Sequence, residues 1–366
     1  MTCGFFSSRI LYSVFLVSAA VSWSQSTGSR ENRGNPATGF AEQAAIQNAQ
    51  PDIPELTRDA KAGDPLAQNN LAFAYAFGRG VEQNYGEAAT WFAAAASKGY
   101  AAAQFNLGAL YENGLGVPRD YAKAFALIRA ASAQGYAVAQ TRLGYFYEQG
   151  WGVKADPAEA ARWYGKAADA GDPVAQCKLG NLYHSGRGVV RDDAESVKWY
   201  RLSAEKGNAI AQNNLGAFYH HGIGLAQEYP QALYWYQKAA DQGLAEAENN
   251  LGVMYEDGLG VAKDYGRAAG FYSKAANQGV VRGEYNLATM YYSGRGVPLD
   301  YVMAYLWYSR AAGAGDEHAG RILKELSGVM TPRQKELAQQ RLAEDQAASI
   351  SDEAAQSPFG SKMSRK

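Results

Sequence analysis

Seven leucines recur every 36 residues through the middle of the chain. Leu71 is the first and Leu287 the last, and tyrosines from Tyr75 to Tyr291 keep the same spacing. Pairs of glycines follow each tyrosine, so seven repeats without insertion fill residues 65–316. A fixed period of this length is typical of repeat arrays, in which each repeat packs against its neighbours. The sequence therefore predicts a stacked array and not one globular core.

Each repeat has the pattern of two helices joined by a turn. In the fourth repeat, Leu179, Leu182 and Tyr183 lie at helical spacings, and Gly186 follows where a left-handed residue ends a helix. A capping residue precedes each second helix, namely Asn84, Asp120, Asp156, Asp192, Asp264 or Asp300, with Glu228 as the exception. Glu87, Glu159 and Glu195 lie three residues later and predict reciprocal capping-box bonds. The prediction is an all-α solenoid of stacked helix-turn-helix repeats.

The N-terminus has the pattern of a targeting segment. Residues 1–24 carry one charge, Arg9, followed by an apolar run over 10–21 that is too short to span a membrane. We interpret 1–24 as a signal peptide, with an uncleaved N-terminal anchor as the alternative. We expect a disordered linker over 25–52, an N-terminal capping helix over 53–64 and a disordered tail over 347–366. Residues 317–346 should form a partial repeat and a charged C-terminal helix, and that helix should run from Thr331–Pro332 to about Asp345.

Composition excludes several classes of protein. The chain has 366 residues and a formal net charge of −1, without the basic excess of a nucleic-acid binder. Its two cysteines, Cys3 and Cys177, cannot form a disulfide framework or a cysteine-rich zinc site. His184 and His220 occupy equivalent positions in successive repeats, too far apart to share a metal ion. No catalytic signature stands out, so we expect no enzyme activity, cofactor or metal.

The repeat unit resembles a known family. The sixth repeat, AEAENNLGVMYEDGLGVAKDYGRAAGFYSKAANQG (residues 245–279), is similar to the Sel-one-like repeat (SLR), a relative of the tetratricopeptide repeat. The resemblance implies a right-handed superhelical scaffold that holds partner proteins, often in export, envelope or endoplasmic-reticulum quality-control pathways. One branch of the family, described as penicillin-binding or β-lactamase-like, carries a cysteine pair in each repeat. Here only Cys177 falls inside the array.

Stacked hairpins place their first helices on the concave face of a solenoid. The side chains facing a partner should be those at the positions of residues 66, 69, 70, 73, 76 and 77, which we call the first-helix face. The position of residue 70 holds a row of polar side chains, namely Asn70, Asn106, Arg142, Lys178, Asn214, Asn250 and Asn286. Amides can pair with the backbone of an extended peptide, and related tetratricopeptide grooves use this position for peptide contact. Alternatively, the amides bond within or between repeats.

Arg142 and Lys178 interrupt the row of asparagines in adjacent repeats. They could form a cationic island that receives a carboxylate, unless Glu112 and Glu148 neutralise it. The sequence as a whole favours a non-enzymatic scaffold or adaptor that binds a protein or peptide, in the periplasm, outside the cell or in a secretory lumen. The alternative is a cell-envelope enzyme that acts on peptidoglycan or β-lactams.

Overall fold

The computed structural model describes residues 51–356, and within this range it contains seventeen α-helices and no strand. The prediction of an all-α fold is confirmed. The predicted signal peptide, nearly all of the predicted linker and the last ten residues of the predicted tail lie outside the described residues.

The helices alternate between the first and the second member of each hairpin. They are α1 (Ile53–Ala62), α2 (Pro65–Phe77), α3 (Tyr85–Ser97), α4 (Ala101–Asn113), α5 (Tyr121–Ala133), α6 (Ala137–Gln149), α7 (Pro157–Asp169), α8 (Pro173–Ser185), α9 (Asp193–Glu205), α10 (Ala209–His221), α11 (Tyr229–Ala240), α12 (Ala245–Asp257), α13 (Tyr265–Asn277), α14 (Val281–Ser293), α15 (Tyr301–Gly313), α16 (Glu317–Val329) and α17 (Pro332–Gln356).

Hairpins stack in sequence, as expected of a solenoid. In the first repeat α2 packs on α3, and α3 then packs on α4 of the next repeat. The same alternation recurs as far as α8 and again from α10 to α15, and the repeated leucines are buried. The helices form two compact units, an N-terminal unit that ends at Trp199 and a C-terminal unit that begins at Tyr200.

Glycines set both the helix ends and the distance between helices. Gly186 ends α8 with a φ of 69°, a conformation in which a Cβ would clash with the backbone. Gly252 lies where α12 meets α13, and a Cβ there would stand 2.5 Å from Cδ1 of Tyr272. The aromatic ring therefore packs directly on the backbone of the first helix.

The caps of the second helices act as predicted, but the capping boxes do not form. Asp156 accepts hydrogen bonds from the N–H groups of Ala158 and Glu159 at the start of α7. A capping box needs the free backbone N–H of Asp156, and that group donates to the carbonyl oxygen of Tyr147 over 2.9 Å. The carboxylate of Glu159 binds Arg162 instead. The repeated tyrosine thus supplies the acceptor that closes each hairpin.

Helices outside the seven repeats cover both ends of the described region. Asp52 caps α1, which packs on α2, and α16 and α17 both pack on α15. The prediction that the last helix stops near Asp345 is wrong, because α17 continues to Gln356. Residues 346–356 contain neither glycine nor proline, and the next helix breaker is Pro358.

Candidate functional site

In the N-terminal unit, the predicted row begins with amides that bond to one another. Asn106 donates through Nδ2 to Oδ1 of Asn69 in the preceding repeat over 3.3 Å, and both side chains are buried. Asn69 in turn donates to Asn70 over 3.4 Å. The bond from Asn106 uses one of its two amide hydrogens and joins two neighbouring first helices.

The two cations of the row each face an acidic residue thirty positions earlier. The side chain of Arg142 is 14% exposed, and its Nε donates to Oε2 of Glu112, which is 3% exposed. Nζ of Lys178 lies 3.5 Å from Oε2 of Glu148, the same oxygen that accepts a 2.8 Å bond from the hydroxyl of Tyr164. The predicted cationic island is therefore neutralised by acids of the preceding repeats, one of the two alternatives that the sequence left open.

An aromatic ring separates these two cations. The Arg142 guanidinium lies 4.8 Å from the centre of the Tyr145 ring, and Nζ of Lys178 lies 5.5 Å from it. Both contacts are within the range of cation–π attraction. The ion pairs and the shared ring hold these long side chains in place.

Hydrogen bonds between asparagines of neighbouring repeats also occur in the C-terminal unit. Asn250 donates to Asn213 over 2.9 Å, and Asn286 donates to Asn249 over 3.0 Å. Both bonds span 37 residues, as does the bond between Asn106 and Asn69 in the other unit. The third predicted member in this unit, Asn214, is half-buried on α10.

A bond between asparagines 37 residues apart accounts for three members of the row, namely Asn106, Asn250 and Asn286. An asparagine in the row donates to the residue 37 positions earlier where that residue is also an asparagine. Arg142 and Lys178 instead follow Phe105 and Thr141, neither of which carries a side-chain amide. At these two positions the chain carries a cation with a paired acid.

A cavity of about 310 Å³ opens on the first-helix face of the C-terminal unit. It contains two members of the predicted row, Asn250 and Asn286. The cavity is lined by His220, His221, Tyr236, Asn249, Asn250, Val253, Arg282, Tyr285, Asn286 and Asp316. Every one of these residues that lies on a first helix holds a position equivalent to 66, 69, 70, 73, 76 or 77. The repeat pattern assigned these positions to the first-helix face, but it raised His220 only as a metal ligand and did not point to Arg282.

Two stacked imidazoles form one end of this cavity. The rings of His220 and His221 lie 4.4 Å apart at the C-terminal end of α10. Burial, with a smaller contribution from the neighbouring charge of His221, lowers the pKa of His220. The imidazole of His220 is therefore shifted toward its neutral form.

The remaining singled-out residues lie apart from this cavity. Cys177 is 5% exposed, so its thiol is shielded from solvent. Nδ1 of His184 lies 2.6 Å from the carboxylate of Asp193. No group of three or more histidine, cysteine or acidic residues among 51–356 is arranged to hold a metal ion.

No helix in the described part of the chain is long and apolar enough to cross a membrane.

The comparisons with known proteins agree on the repeat. Seven consecutive segments match the Sel1 repeat family: residues 65–100, 101–136, 137–172, 173–208, 209–244, 245–280 and 281–316. A Sel1 repeat protein from Oxalobacter formigenes is 30% identical, with a TM-score of 0.65 over 89% of this chain and 96% of that one. A protective antigen of uropathogenic Escherichia coli with an SLR fold is 32% identical, with a TM-score of 0.64 over 79% of this chain and 70% of that one. The chain has no match among curated proteins.

Proposed function

Because the chain belongs to the Sel1 repeat family, whose fold supports protein-interaction scaffolds, we propose that it binds a peptide or protein segment on its first-helix face. One observation carries this proposal. The cavity of the C-terminal unit is lined by side chains at the positions that the repeat pattern assigns to this face, including Asn250 and Asn286. A ligand there would meet several repeats at once, so its affinity would come from their combined surface.

The chemistry of the lining fits a peptide. Asn250 and Asn286 each use an amide hydrogen to bond the preceding repeat, which fixes the orientation of the side chain. Each amide keeps a second N–H, and such groups can pair with the carbonyls of an extended backbone. Val253 and Tyr285 supply apolar and aromatic surface beside them. Asn70, Arg142, Lys178 and Asn214 extend the proposed contact surface within their own units, whereas the predicted contact residue Asn106 is buried and joins neighbouring first helices.

We further propose that the protein is exported, to the periplasm, the exterior or a secretory lumen. This rests on the apolar run of residues 10–21 that follows Arg9. The alternative of an envelope enzyme acting on peptidoglycan or β-lactams is supported by no observation in the described residues. Cys177, the array's sole cysteine, is buried.

Site-specific photocrosslinking tests the location of binding. Peptides enriched from a displayed random library on the full chain serve as the probe. A benzophenone amino acid replaces Tyr285 in the cavity or, as the control, Tyr234, which is 49% exposed on the second helix α11. We expect the peptides to crosslink at position 285 and not at 234. Equal crosslinking at both positions, or none at 285, would contradict the proposal.

A further inference from the structure

Arg282 is an exposed cation at the edge of the cavity in the C-terminal unit. It lies in the first turn of α14 and lines the cavity beside Tyr285 and Asn286. Among the described residues, none brings a carboxylate oxygen within 4.0 Å of its guanidinium. This separates it from Arg142 and Lys178, which both face acids of the preceding repeat.

The fold does not require a cation at this position. Repeats one to five carry apolar residues there, namely Leu66, Ala102, Val138, Val174 and Ile210. The first helices of these repeats each have 13 residues, the same length as α14. An arginine in place of an apolar residue therefore changes the chemistry of the cavity and not the architecture of the repeat.

Two nearby acids do not neutralise Arg282. Asp316 also lines the cavity, but it caps α16, and its Oδ1 accepts the N–H of Ala319 over 2.9 Å. Glu246 holds the equivalent position one repeat earlier, and its carboxylate lies beyond ion-pair distance. Stacked helices are about 8–10 Å apart, which accounts for the missing contact.

We propose that this cavity binds an extended peptide through a carboxylate, with Arg282 as the anchor and the amides of Asn250 and Asn286 on the peptide backbone. The inference rests on the proposed function and specifies its ligand. A guanidinium presents parallel N–H donors that match the two oxygens of a carboxylate. The amides lie deeper in the same cavity, so one strand of peptide can reach both kinds of group.

Four labelled peptide pools serve as probes of the charge preference. All are nine residues long with randomised Gly, Ala, Ser and Leu flanks. Three have amidated ends and a central Glu, Gln or Lys, and the fourth has a neutral centre and a free C-terminal carboxylate. Fluorescence anisotropy on the full chain should give the Glu pool about tenfold higher affinity than the Gln pool. Tighter binding of the free-acid pool than of the Glu pool would assign the carboxylate to a chain terminus.

Matched arginine variants locate the preference. Arg282→Gln should remove the difference between the Glu and Gln pools, while Arg295→Gln, an exposed arginine after the same helix, should leave it intact. Equal affinity of the Gln pool with both the Glu pool and the free-acid pool, or a carboxylate preference that survives Arg282→Gln, would overturn the carboxylate anchor. If the pools bind equally but still crosslink at position 285, the scaffold proposal stands without its ligand class. If no pool crosslinks there, both proposals fail.

Discussion

Nε of Arg142 donates to Oε2 of Glu112 over 3.0 Å, and this contact joins the first helices of two successive repeats. Both side chains are largely withdrawn from water. Removing one charge of such a pair leaves the other desolvated and unpaired, which costs much more than the net contribution of the intact pair.

We therefore expect Arg142→Gln to lower the free energy of unfolding by about 3 kcal/mol. The double variant with Glu112→Gln should recover most of this loss, because no unpaired charge remains. Arg162→Gln removes an exposed partner of Glu159 and should cost at most about 0.5 kcal/mol. Urea unfolding followed by circular dichroism measures all three. A double variant as unstable as the single one would contradict this account.

A second prediction concerns a glutamine that two repeats replace by glutamate. Gln212 donates to the carbonyl oxygen of Ala204 over 3.0 Å, and the glutamines of the four earlier repeats make the same bond over 3.0–3.4 Å. Glu248 and Glu284 occupy this position later in the chain and are buried. A carboxylate cannot donate to a carbonyl, so Glu248→Gln and Glu284→Gln should each stabilise the protein by about 1 kcal/mol at pH 7.

The gain should depend on pH in a defined direction. Burial raises the pKa of both carboxyl groups, outweighing the nearby cations Lys274 and Arg310. Each wild-type glutamate thus contributes most to stability below its unfolded pKa of about 4.3, and the contribution is lost as the pH rises through the folded value. The difference in thermal midpoint between the wild type and each variant should be small at pH 4 and large at pH 7. Gln212→Glu should show the reverse effect.

A third prediction uses two glycines in different conformations. Gly186 has a φ of 69°, and alanine there should destabilise by about 1 kcal/mol or more. Gly165 lies within α7, with no atom within 4 Å of an added Cβ. Gly165→Ala should stabilise by about 0.5–1 kcal/mol, because alanine favours the helix. Equal thermal shifts for the two variants would show that backbone conformation does not decide the outcome.

A fourth prediction tests the proposed export. Residues 1–30, which contain the proposed signal segment 1–24, fused to alkaline phosphatase, whose disulfides form only in an oxidising compartment, should give an active enzyme in bacteria. Leu16→Arg, within the apolar run, should abolish that activity, whereas Gln25→Arg, beyond the segment, should not. Activity that survives Leu16→Arg would remove the basis for the export proposal.

The sequence predicted the fold well because its signals are local. Helix caps, left-handed glycines and apolar spacing lie within one repeat, so residues such as Asp156 and Gly186 could be assigned from the period alone. The capping box failed for a non-local reason, since the N–H of Asp156 already donates to the carbonyl oxygen of Tyr147 in the preceding helix.

The candidate site was predicted only as a set of positions. The pairing of Arg142 with Glu112 depends on a spacing of 30 residues across two hairpins, and a single-repeat consensus does not contain it. Arg282 and His220 stand at predicted positions, but the pattern gave no reason to choose Arg282 and raised His220 only as a metal ligand. Their significance depends on which neighbours carry charge, and only the packed structure supplies that information.

The contacts between repeats have fixed sequence separations. The amide bond from Asn250 to Asn213 spans 37 residues, and the ion pair of Lys178 with Glu148 spans 30. Insertion of one residue within a helix that carries one of these partners would rotate the residues that follow it in that helix by about 100° and move a partner out of reach. Insertion of a complete repeat preserves all of them. The first-helix face can therefore lengthen or shorten during evolution only by whole repeats. A partner of a new size would be accommodated by changing the number of repeats.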